Sequence, residues 1–400
     1  MRAVAATGYE GYLSLEIFND QFRGGSTRSI AIDGHRSLIY LGDQVARAEP
    51  DNAINAPKMP DRIEVKSVEF IEFASSSEQV GNLTRLIETL GFHKAGRHRS
   101  RSIERYRQGD INLVVNLERE GFAHRSFLTH GTSPYAVGLK VHNAEAALLR
   151  AKTLGAKVLV RDLGAGKIVL PAIEGVGGSI IYFIDEQSDL RNIWDIDFEV
   201  VTPENAPTDS GLTHIDHLAE TMNFDEMLTW LLFYTAIFRA GKTPMVDIVD
   251  PSGIVRSQVV ENDTGSLRIT MNGAENRNTV AGTFLANNSG PSIQHLAFGT
   301  SDIFATAEAL KANGFVPLKI TPNYYADIEA RFGLNPALTD RLKAGNILYD
   351  QDEGGEYFQL YSPNFGDGLF FEIVERRGYK GYGAPNSIFR IAAQKRHTVL

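Results

Sequence analysis

Four segments of the chain follow one pattern of apolar and polar positions. In each, a short run with the two-residue period of a strand leads into a stretch with the 3.6-residue period of an amphipathic helix. In the second and fourth segments a glycine, Gly155 or Gly314, follows the helix at the place of a left-handed C-terminal cap. Because the units match in pairs, the pattern predicts an internal duplication of an α+β fold. The four segments are 66–92, 135–159, 213–238 and 293–318.

The duplication predicts two domains, over residues 62–200 and 210–400, joined by the polar, proline-containing stretch VTPENAPTDSG. Residues 1–61 do not follow the pattern. Within them LSLEIF (13–18) is typical of a short buried strand, and RSIAIDGHRSLIYLGDQVARAE (28–49) predicts a helix. A segment of this length cannot bury a core of its own, so we expect it to pack against other structure.

Composition restricts the possible metal ligands and the possible binding partners of the protein. With no cysteine among 400 residues, His, Asp and Glu are the strong metal ligands that remain. The net charge of −9 argues against nucleic acid as a partner. The chain has no apolar run long enough for a membrane helix, and its first residues are unlike a signal peptide. We therefore expect a cytoplasmic protein without membrane contacts.

Aligning the two halves singles out three ligand-type side chains in the second half: His217, His295 and Glu372. Their counterparts in the first half cannot bind a metal in this way, and they are Phe70, Ala136 and Tyr182. Residues two apart in a strand share a face, so the three ligands are expected on one inner face of a curved sheet. His214 lies three residues from His217 and is expected on the other face. Two imidazoles and one carboxylate are the donor set of non-haem Fe(II) oxygenases.

Four motifs in and after these strands resemble those of the 4-hydroxyphenylpyruvate dioxygenase family: HIDHLA, GPSIQHLAF, YFQLYSP and GLFFEIVERRGYKGYG. The similarity spans about residues 62–395 and is strongest from residue 212. It implies two tandem vicinal-oxygen-chelate domains, each a half-open barrel of paired βαβββ modules, with a helix closing the second. It also implies that His217, His295 and Glu372 bind Fe(II). Nitrogen and oxygen donors discriminate poorly among first-row metals, so another divalent ion stays open.

The same resemblance implies a substrate and the residues around it. The substrate would be 4-hydroxyphenylpyruvate or a related aromatic 2-oxo acid, decarboxylated oxidatively with O₂ and without an organic cofactor. The polar residues lining its pocket would be Ser257, Asn272, Gln294 and Gln359. Members of this fold commonly associate, so we expect a homo-oligomer.

The aromatic residues around the substrate differ from the family pattern. Tyr361 stands where the family has phenylalanine, and the closing helix reads GYGAPNSIF in place of GFG-x-x-NF. Tyr382 and Ser387 thus replace two aromatic residues, and Phe389 follows close by. These changes leave the three metal ligands intact and alter the clamp for a hydroxyphenyl ring.

A second resemblance concerns the first sixty residues. YEGYLSLEIFNDQFRGGS is similar to the last metal-bearing strand of TIM-barrel 3-dehydroshikimate dehydratases, which form protocatechuate. It implies that residues 1–61 are the remnant of such a barrel, with Glu16 as a carboxylate ligand and Arg23 near the substrate. A complete barrel takes its other ligands from earlier strands, which this sequence does not contain.

Three functions of different classes therefore stay open. The first is an Fe(II) dioxygenase that acts on an aromatic 2-oxo acid. The second is a 3-dehydroshikimate dehydratase in a longer parent protein, in which this region is an accessory domain. The third is a metal-binding or ligand-binding module without catalysis.

Overall fold

The structure is a computed structural model that describes residues 1–20, 25–51, 56–159 and 169–398. These residues form two mixed sheets of nine strands each, with helices packed around them. No helix in the described ranges is long and apolar enough to cross a membrane.

The first sheet has the strand order β6-β7-β8-β5-β1-β4-β3-β2-β9. Its strands are β1 Val65–Ala74, β2 His93–His98, β3 Ile103–Gln108, β4 Ile111–Asn116, β5 Ser133–Val141, β6 Val158–Leu159, β7 Ala172–Glu174, β8 Ile180–Asp185 and β9 Phe198–Val200.

The second sheet has the order β11-β13-β14-β10-β15-β18-β17-β16, and β12 pairs with β13. Its strands are β10 Leu212–Asn223, β11 Gly241–Lys242, β12 Val246–Asp250, β13 Gly253–Glu261, β14 Arg268–Ala274, β15 Ser292–Thr300, β16 Leu348–Asp352, β17 Gly355–Tyr361 and β18 Phe370–Arg377.

Helices lie between these strands and near both ends of the described residues. They are α1 Arg2–Ala6, α2 Thr27–Ala48, α3 Val80–Thr89, α4 Gly121–His130, α5 Ala144–Thr153, α6 Ile193–Asp197, α7 Met227–Ile237, α8 Val280–Asn287, α9 Ile303–Ala312, α10 Pro322–Phe332, α11 Pro336–Gly345 and α12 Ala384–Thr398.

The two sheets repeat one topology, which confirms the predicted duplication. In the first sheet, β1 pairs in parallel with β4 and antiparallel with β5. In the second, β10 pairs in parallel with β14 and antiparallel with β15. The capping glycines are confirmed too: Gly155 has φ +75° after α5, and Gly314 has φ +85° after α9. A β-carbon would be strained in that conformation, which is why glycine ends both helices.

The helix predicted over 28–49 is confirmed as α2, which packs against α7. Arg36 of α2 is buried, donates to the Leu154 carbonyl at 2.8 Å and pairs with Asp33 at 2.8 Å. The other Asp33 oxygen accepts a hydrogen bond from Thr229 of α7. This segment therefore docks on both halves of the duplication.

A buried arginine also stabilises the contact between residues 1–61 and the two halves. Arg150 of α5 is fully buried, and its guanidinium donates to the carbonyls of Ala236 at 2.8 Å and Pro60 at 2.7 Å. It also lies 3.3 Å from a carboxylate oxygen of Asp43. One side chain thus links α2, α5, α7 and the segment before β1.

The strand predicted for LSLEIF is wrong. Residues 13–18 form no strand in the structure, and Leu13, Leu15 and Phe18 are exposed. A strand is stable only when a neighbour satisfies its backbone hydrogen bonds, and no described residue pairs with this segment. Glu16 is likewise exposed and belongs to no cluster of ligand-type groups among the described residues. Arg23 lies outside the described residues.

Candidate metal centre

The three predicted ligands lie on neighbouring strands of the second sheet. His217 is on β10, His295 on β15 and Glu372 on β18, and β15 runs between the other two. Ala297 of β15 pairs with His217 on one side and with Glu372 on the other. Paired residues share a face, and His295 is two residues from Ala297, so all three side chains project from one face.

The ligating atoms of the three side chains meet at one point. Nε2 of His217 lies 3.2 Å from Nε2 of His295 and 3.3 Å from Oε2 of Glu372. Nε2 of His295 lies 3.4 Å from the same Oε2. Donors about 2.0 to 2.2 Å from one ion lie about 2.8 to 3.1 Å apart at right angles and about 3.3 to 3.6 Å apart at tetrahedral angles. The observed spacings of 3.2 to 3.4 Å lie within the span of these two geometries. The nearly equilateral triangle therefore fits one face of a metal's coordination sphere and leaves the other face free.

The burial and the charges of the three side chains bear on whether they can bind a cation. Only 6% of His217, 8% of His295 and 2% of Glu372 is exposed. Burial alone would raise the pKa of Glu372, but the neighbouring histidines outweigh it and lower that pKa to about 2. Burial together with the charge of His217 holds the pKa of His295 well below its usual range, although Glu372 opposes this. The carboxylate is therefore ionised and His295 neutral, as metal binding requires. Burial would lower the pKa of His217, but Glu372 and Asp216 outweigh it and raise that pKa to about 9, so a metal ion must displace a proton from Nε2 of His217.

Asp216 orients the His217 ring, a role that the sequence pattern did not predict. Its Oδ1 accepts a hydrogen bond from Nδ1 of His217 at 2.7 Å, which leaves Nε2 free to bind a metal. A register shift between Ile215 and His217 marks a bulge at Asp216 in β10. Burial would raise the pKa of Asp216, but His217 and Arg376 keep it well below its usual range. The sequence feature that could have indicated this role is the aspartate directly before the second histidine of HIDHLA.

Two arginines hold the Asp216 carboxylate in place. Arg376 of β18 donates from Nε at 2.9 Å and from Nη2 at 3.0 Å, and Arg268 of β14 donates at 3.1 Å. His214 is not part of the triad: its side chain is largely exposed, and its Nε2 is 3.9 Å from Asp216. The bulge at Asp216 resets the alternation of β10, so His214 pairs with Gly299, two residues from Ala297, and lies on the same sheet face as His217. The expectation that His214 lies on the other face is therefore wrong.

Of the four predicted pocket residues, Gln359 contacts the triad directly. Its Nε2 donates to Oε1 of Glu372 at 2.9 Å and to the Tyr361 hydroxyl at 2.7 Å. Its Oε1 accepts from Nδ2 of Asn386 at 2.8 Å. Gln359 is therefore fully hydrogen-bonded between the candidate ligand Glu372 and the C-terminal helix α12.

The other three predicted pocket residues lie across neighbouring strands. Gln294 precedes His295 and accepts a hydrogen bond from the Thr221 hydroxyl at 2.6 Å. Thr221 in turn pairs with Asn272 of β14, and Asn272 pairs with Ser257 of β13. The row thus extends the inner face away from the metal ligands. Among the described residues, no hydrogen bond joins Ser257 or Asn272 to the triad.

In the first sheet, the positions equivalent to the triad carry no ligand-type side chains, as the sequence predicts. Gly138 pairs with Phe70 on β1 and with Tyr182 on β8, in the way that Ala297 pairs with His217 and Glu372. The rings of Phe70 and Tyr182 lie 5.9 Å apart, where the second sheet places donor atoms. The predicted register between the halves is therefore confirmed, and Ala136 falls at the position of His295.

The altered aromatic positions occupy different places. Tyr361 lies at the triad, and burial together with the charge of Glu372 raises its pKa well above the usual range. Phe389 packs on Tyr324 at 4.8 Å between ring centroids. Tyr382 lies on the other side, with its ring 5.5 Å from the Arg376 guanidinium. Ser387 is half-buried on α12. The hydroxyl of Tyr361 is thus the change nearest the metal ligands.

A polar cavity of about 940 Å³ borders the orienting carboxylate. Arg105 and Trp194 line it from the first half, and Asp216 and Arg376 line it from the second. The three ligating side chains are not among its lining residues. The open space therefore lies behind the His217 ring, on the side of Asp216.

Comparison with known proteins identifies the family. The family model described as hydroxyphenylpyruvate dioxygenase, N-terminal, matches residues 60–199. The 4-hydroxyphenylpyruvate dioxygenase of Pseudomonas aeruginosa is 31% identical over 339 residues, which are 84% of this chain and 95% of that enzyme. The chain belongs to the 4-hydroxyphenylpyruvate dioxygenase family. The resemblance predicted from the four motifs is confirmed, and the two sheets are the family's curved vicinal-oxygen-chelate modules.

Other relatives in this comparison are longer than the chain. A 3-dehydroshikimate dehydratase of Pseudomonas aeruginosa is 39% identical over 397 residues, which are 98% of this chain and 62% of that protein. A solved xylose isomerase-like TIM barrel/4-hydroxyphenylpyruvate dioxygenase fusion protein is 36% identical, with a TM-score of 0.86 over 99% of this chain and 64% of that one. The chain of this dioxygenase-family member thus spans less than two thirds of either relative.

Proposed function

We propose that the metal centre is an Fe(II) oxygenase site for an aromatic 2-oxo acid. The observation that carries this proposal is the triangle of His217, His295 and Glu372 ligand atoms, 3.2 to 3.4 Å apart on one buried sheet face. Two histidines and one carboxylate on one side of an ion leave adjacent positions for a chelating 2-oxo acid and for O₂. Membership of the dioxygenase family supports the same chemistry.

The chain's own residues have separable tasks at this centre. The triad would hold the ion, and Asp216 would keep His217 in the tautomer that offers Nε2. Bound Fe(II) would supply a Lewis acid and a one-electron reductant for O₂. Gln359 would fix the Glu372 carboxylate through its 2.9 Å hydrogen bond. Phe370, whose ring stacks on His295 at 4.6 Å, would keep water from that side of the site.

The test is anaerobic loading with Fe(II), followed by oxygen uptake and CO₂ release with 4-hydroxyphenylpyruvate and phenylpyruvate. We expect metal-dependent uptake, with one O₂ consumed for each CO₂ released. Glu372→Ala should abolish it, and Glu308→Ala, at an exposed position of α9, should leave it unchanged. Tight Fe(II) binding without oxygen uptake on any aromatic 2-oxo acid would contradict catalysis and favour a non-catalytic metal module.

A second candidate activity, dehydration of 3-dehydroshikimate, concerns the longer protein to which this chain would correspond. The comparisons favour it over the dioxygenase activity, because the dehydratase match is higher in identity and includes the first sixty residues. We propose that residues 1–61 belong to the dehydratase portion, and that 62–200 and 210–400 form the two dioxygenase-like domains. The two activities would use different sites and would be compatible in one protein.

Ultraviolet detection of protocatechuate from 3-dehydroshikimate tests this second activity. A gene product with the full length of the dehydratase relatives should form protocatechuate, and the present 400 residues should not. Removing the triad by Glu372→Ala should leave protocatechuate formation in the longer protein intact. Loss of that activity in Glu372→Ala would assign dehydration to the metal centre described above.

A further inference from the structure

An arginine of the C-terminal helix reaches the inner face that carries the metal ligands. The guanidinium carbon of Arg390 lies 5.1 Å from the ring centroid of Phe370 and 5.7 Å from that of Tyr361. Phe370 stacks directly on the His295 ring. Tyr361 pairs with Glu372 across β17 and β18. Arg390 therefore stands one aromatic ring away from the metal ligands.

Helix α12 is held so that this face points inward. Asn386 is buried and donates to Gln359, the residue that also binds Glu372. Arg390 follows Asn386 by four residues, so both lie on the same side of the helix, one turn apart. Ser387, three residues before Arg390, adds only a small side chain to that side, where the family pattern has an aromatic ring.

The Arg390 charge has no acidic partner among the residues that the structure describes. Its one hydrogen bond there runs from Nη1 to the neutral Gln394 side chain at 2.7 Å. Arg376, the arginine on the other side of the centre, is in contrast fully paired with Asp216. A half-buried guanidinium stacked on two aromatic rings, with no carboxylate, is an arrangement that favours an anionic ligand.

We propose that Arg390 binds a second carboxylate of the substrate, carried by the ring at the end remote from the metal. This inference rests on the proposed function, since the triad and its metal would hold the 2-oxo acid at the other end. The substrate would therefore be a dianionic aromatic or cyclic 2-oxo acid, with a ring carboxylate in place of the family's phenolic hydroxyl. Arg390 is in this sense a specificity-determining residue.

Binding measurements under anaerobic conditions test the proposal without turnover. Calorimetric titration of the Fe(II)-loaded chain would compare 4-carboxyphenylpyruvate, 4-hydroxyphenylpyruvate and phenylpyruvate. A charge-assisted contact predicts that the carboxylated ligand binds about 10- to 100-fold more tightly than phenylpyruvate. Arg390→Leu should remove this preference, and Arg390→Lys should keep part of it. Arg396→Leu, on an exposed arginine of the same helix, should leave it unchanged.

Three results would overturn the inference. One is an unmodified chain that binds 4-hydroxyphenylpyruvate as tightly as the carboxylated ligand. Another is an Arg390→Leu variant that loses affinity equally for all three ligands, because Arg390 would then hold the 2-oxo acid end. The third is an equal loss in Arg396→Leu.

A metal-free titration separates this inference from the proposed function. If the triad binds no Fe(II), the proposed function fails. In that case a preference for the carboxylated ligand that depends on Arg390 would still be measurable in the metal-free chain. If Fe(II) binds and oxygen uptake occurs without any such preference, the Arg390 inference alone fails.

Discussion

Nδ1 of His217 donates a hydrogen bond to Asp216, its immediate neighbour in the chain, at 2.7 Å. Adjacent residues of a regular strand point to opposite faces, so this contact depends on the bulge in β10. The bond fixes which imidazole nitrogen is available to a metal. The arginines that hold Asp216 therefore act on the metal centre through one side chain.

Asp216→Asn should weaken metal binding about 10- to 100-fold, the usual effect of removing a carboxylate behind a ligating histidine. The variant keeps the shape of the side chain but loses the charge that favours donation by Nδ1. Competition with a fluorescent chelator under anaerobic conditions measures the affinity. Asp327→Asn, on the exposed side of α10, is the matched control and should bind as the unmodified chain does. Equal affinities in both variants would exclude an orienting role for Asp216.

Tyr361→Phe, which restores the family residue, should raise the affinity for 4-hydroxyphenylpyruvate about tenfold and change metal affinity little. The Gln359 amide is at present shared between the Tyr361 hydroxyl and Glu372. Removing the hydroxyl frees one donor position of this amide for a substrate oxygen. Anaerobic calorimetry on the Fe(II)-loaded chain measures both constants. A fall in substrate affinity would mean that the Tyr361 hydroxyl itself contacts the substrate.

Glu220→Gln should make the protein more stable at pH 8 than the unmodified chain. Glu220 is buried, accepts a hydrogen bond from the Tyr234 hydroxyl at 2.7 Å, and has no partner for its second oxygen among the described residues. Burial raises its pKa to about 7, from an ordinary value near 4.5. The folded protein thus holds a proton that the unfolded chain releases, and stability falls as pH rises from about 4.5 to about 7.

The glutamine variant lacks this titration, so its advantage should be absent near pH 4 and grow to at most about 3 kcal/mol by pH 8. Urea denaturation at both pH values measures it. A difference between the two proteins that is independent of pH would show that Glu220 titrates normally.

Arg150→Met should lower the free energy of unfolding by about 3 to 5 kcal/mol, because the change leaves the Asp43 carboxylate and two carbonyl groups without this donor in the interior. Arg47→Met is the matched control. Arg47 pairs with the same Asp43 at 2.7 Å, but it is 41% exposed, and its loss should cost less than about 1 kcal/mol. Chemical denaturation followed by circular dichroism compares them, and equal losses would contradict the importance of burial.

The sequence by itself determined the duplication, the capping glycines, helix α2 and the three side chains that cluster as the candidate metal centre. These features depend on local periodicity and on a comparison between the two halves, and both can be obtained from the order of residues alone. The counterparts Phe70 and Tyr182 could be placed correctly for the same reason, since strand register repeats every two residues.

Only the tertiary structure decided which distant groups surround the ligands. Asp216 turns toward His217 at a bulge, and Arg376 meets it from a strand 160 residues later. Arg390 reaches the rings of Phe370 and Tyr361 because α12 is anchored through Asn386. LSLEIF has the pattern of a strand but lacks a partner. Periodicity predicts the face of a residue only in a regular strand, and the bulge in β10 changes the face of His214. The neighbours of a residue depend on how strands pair and helices pack, and the local pattern does not contain that information.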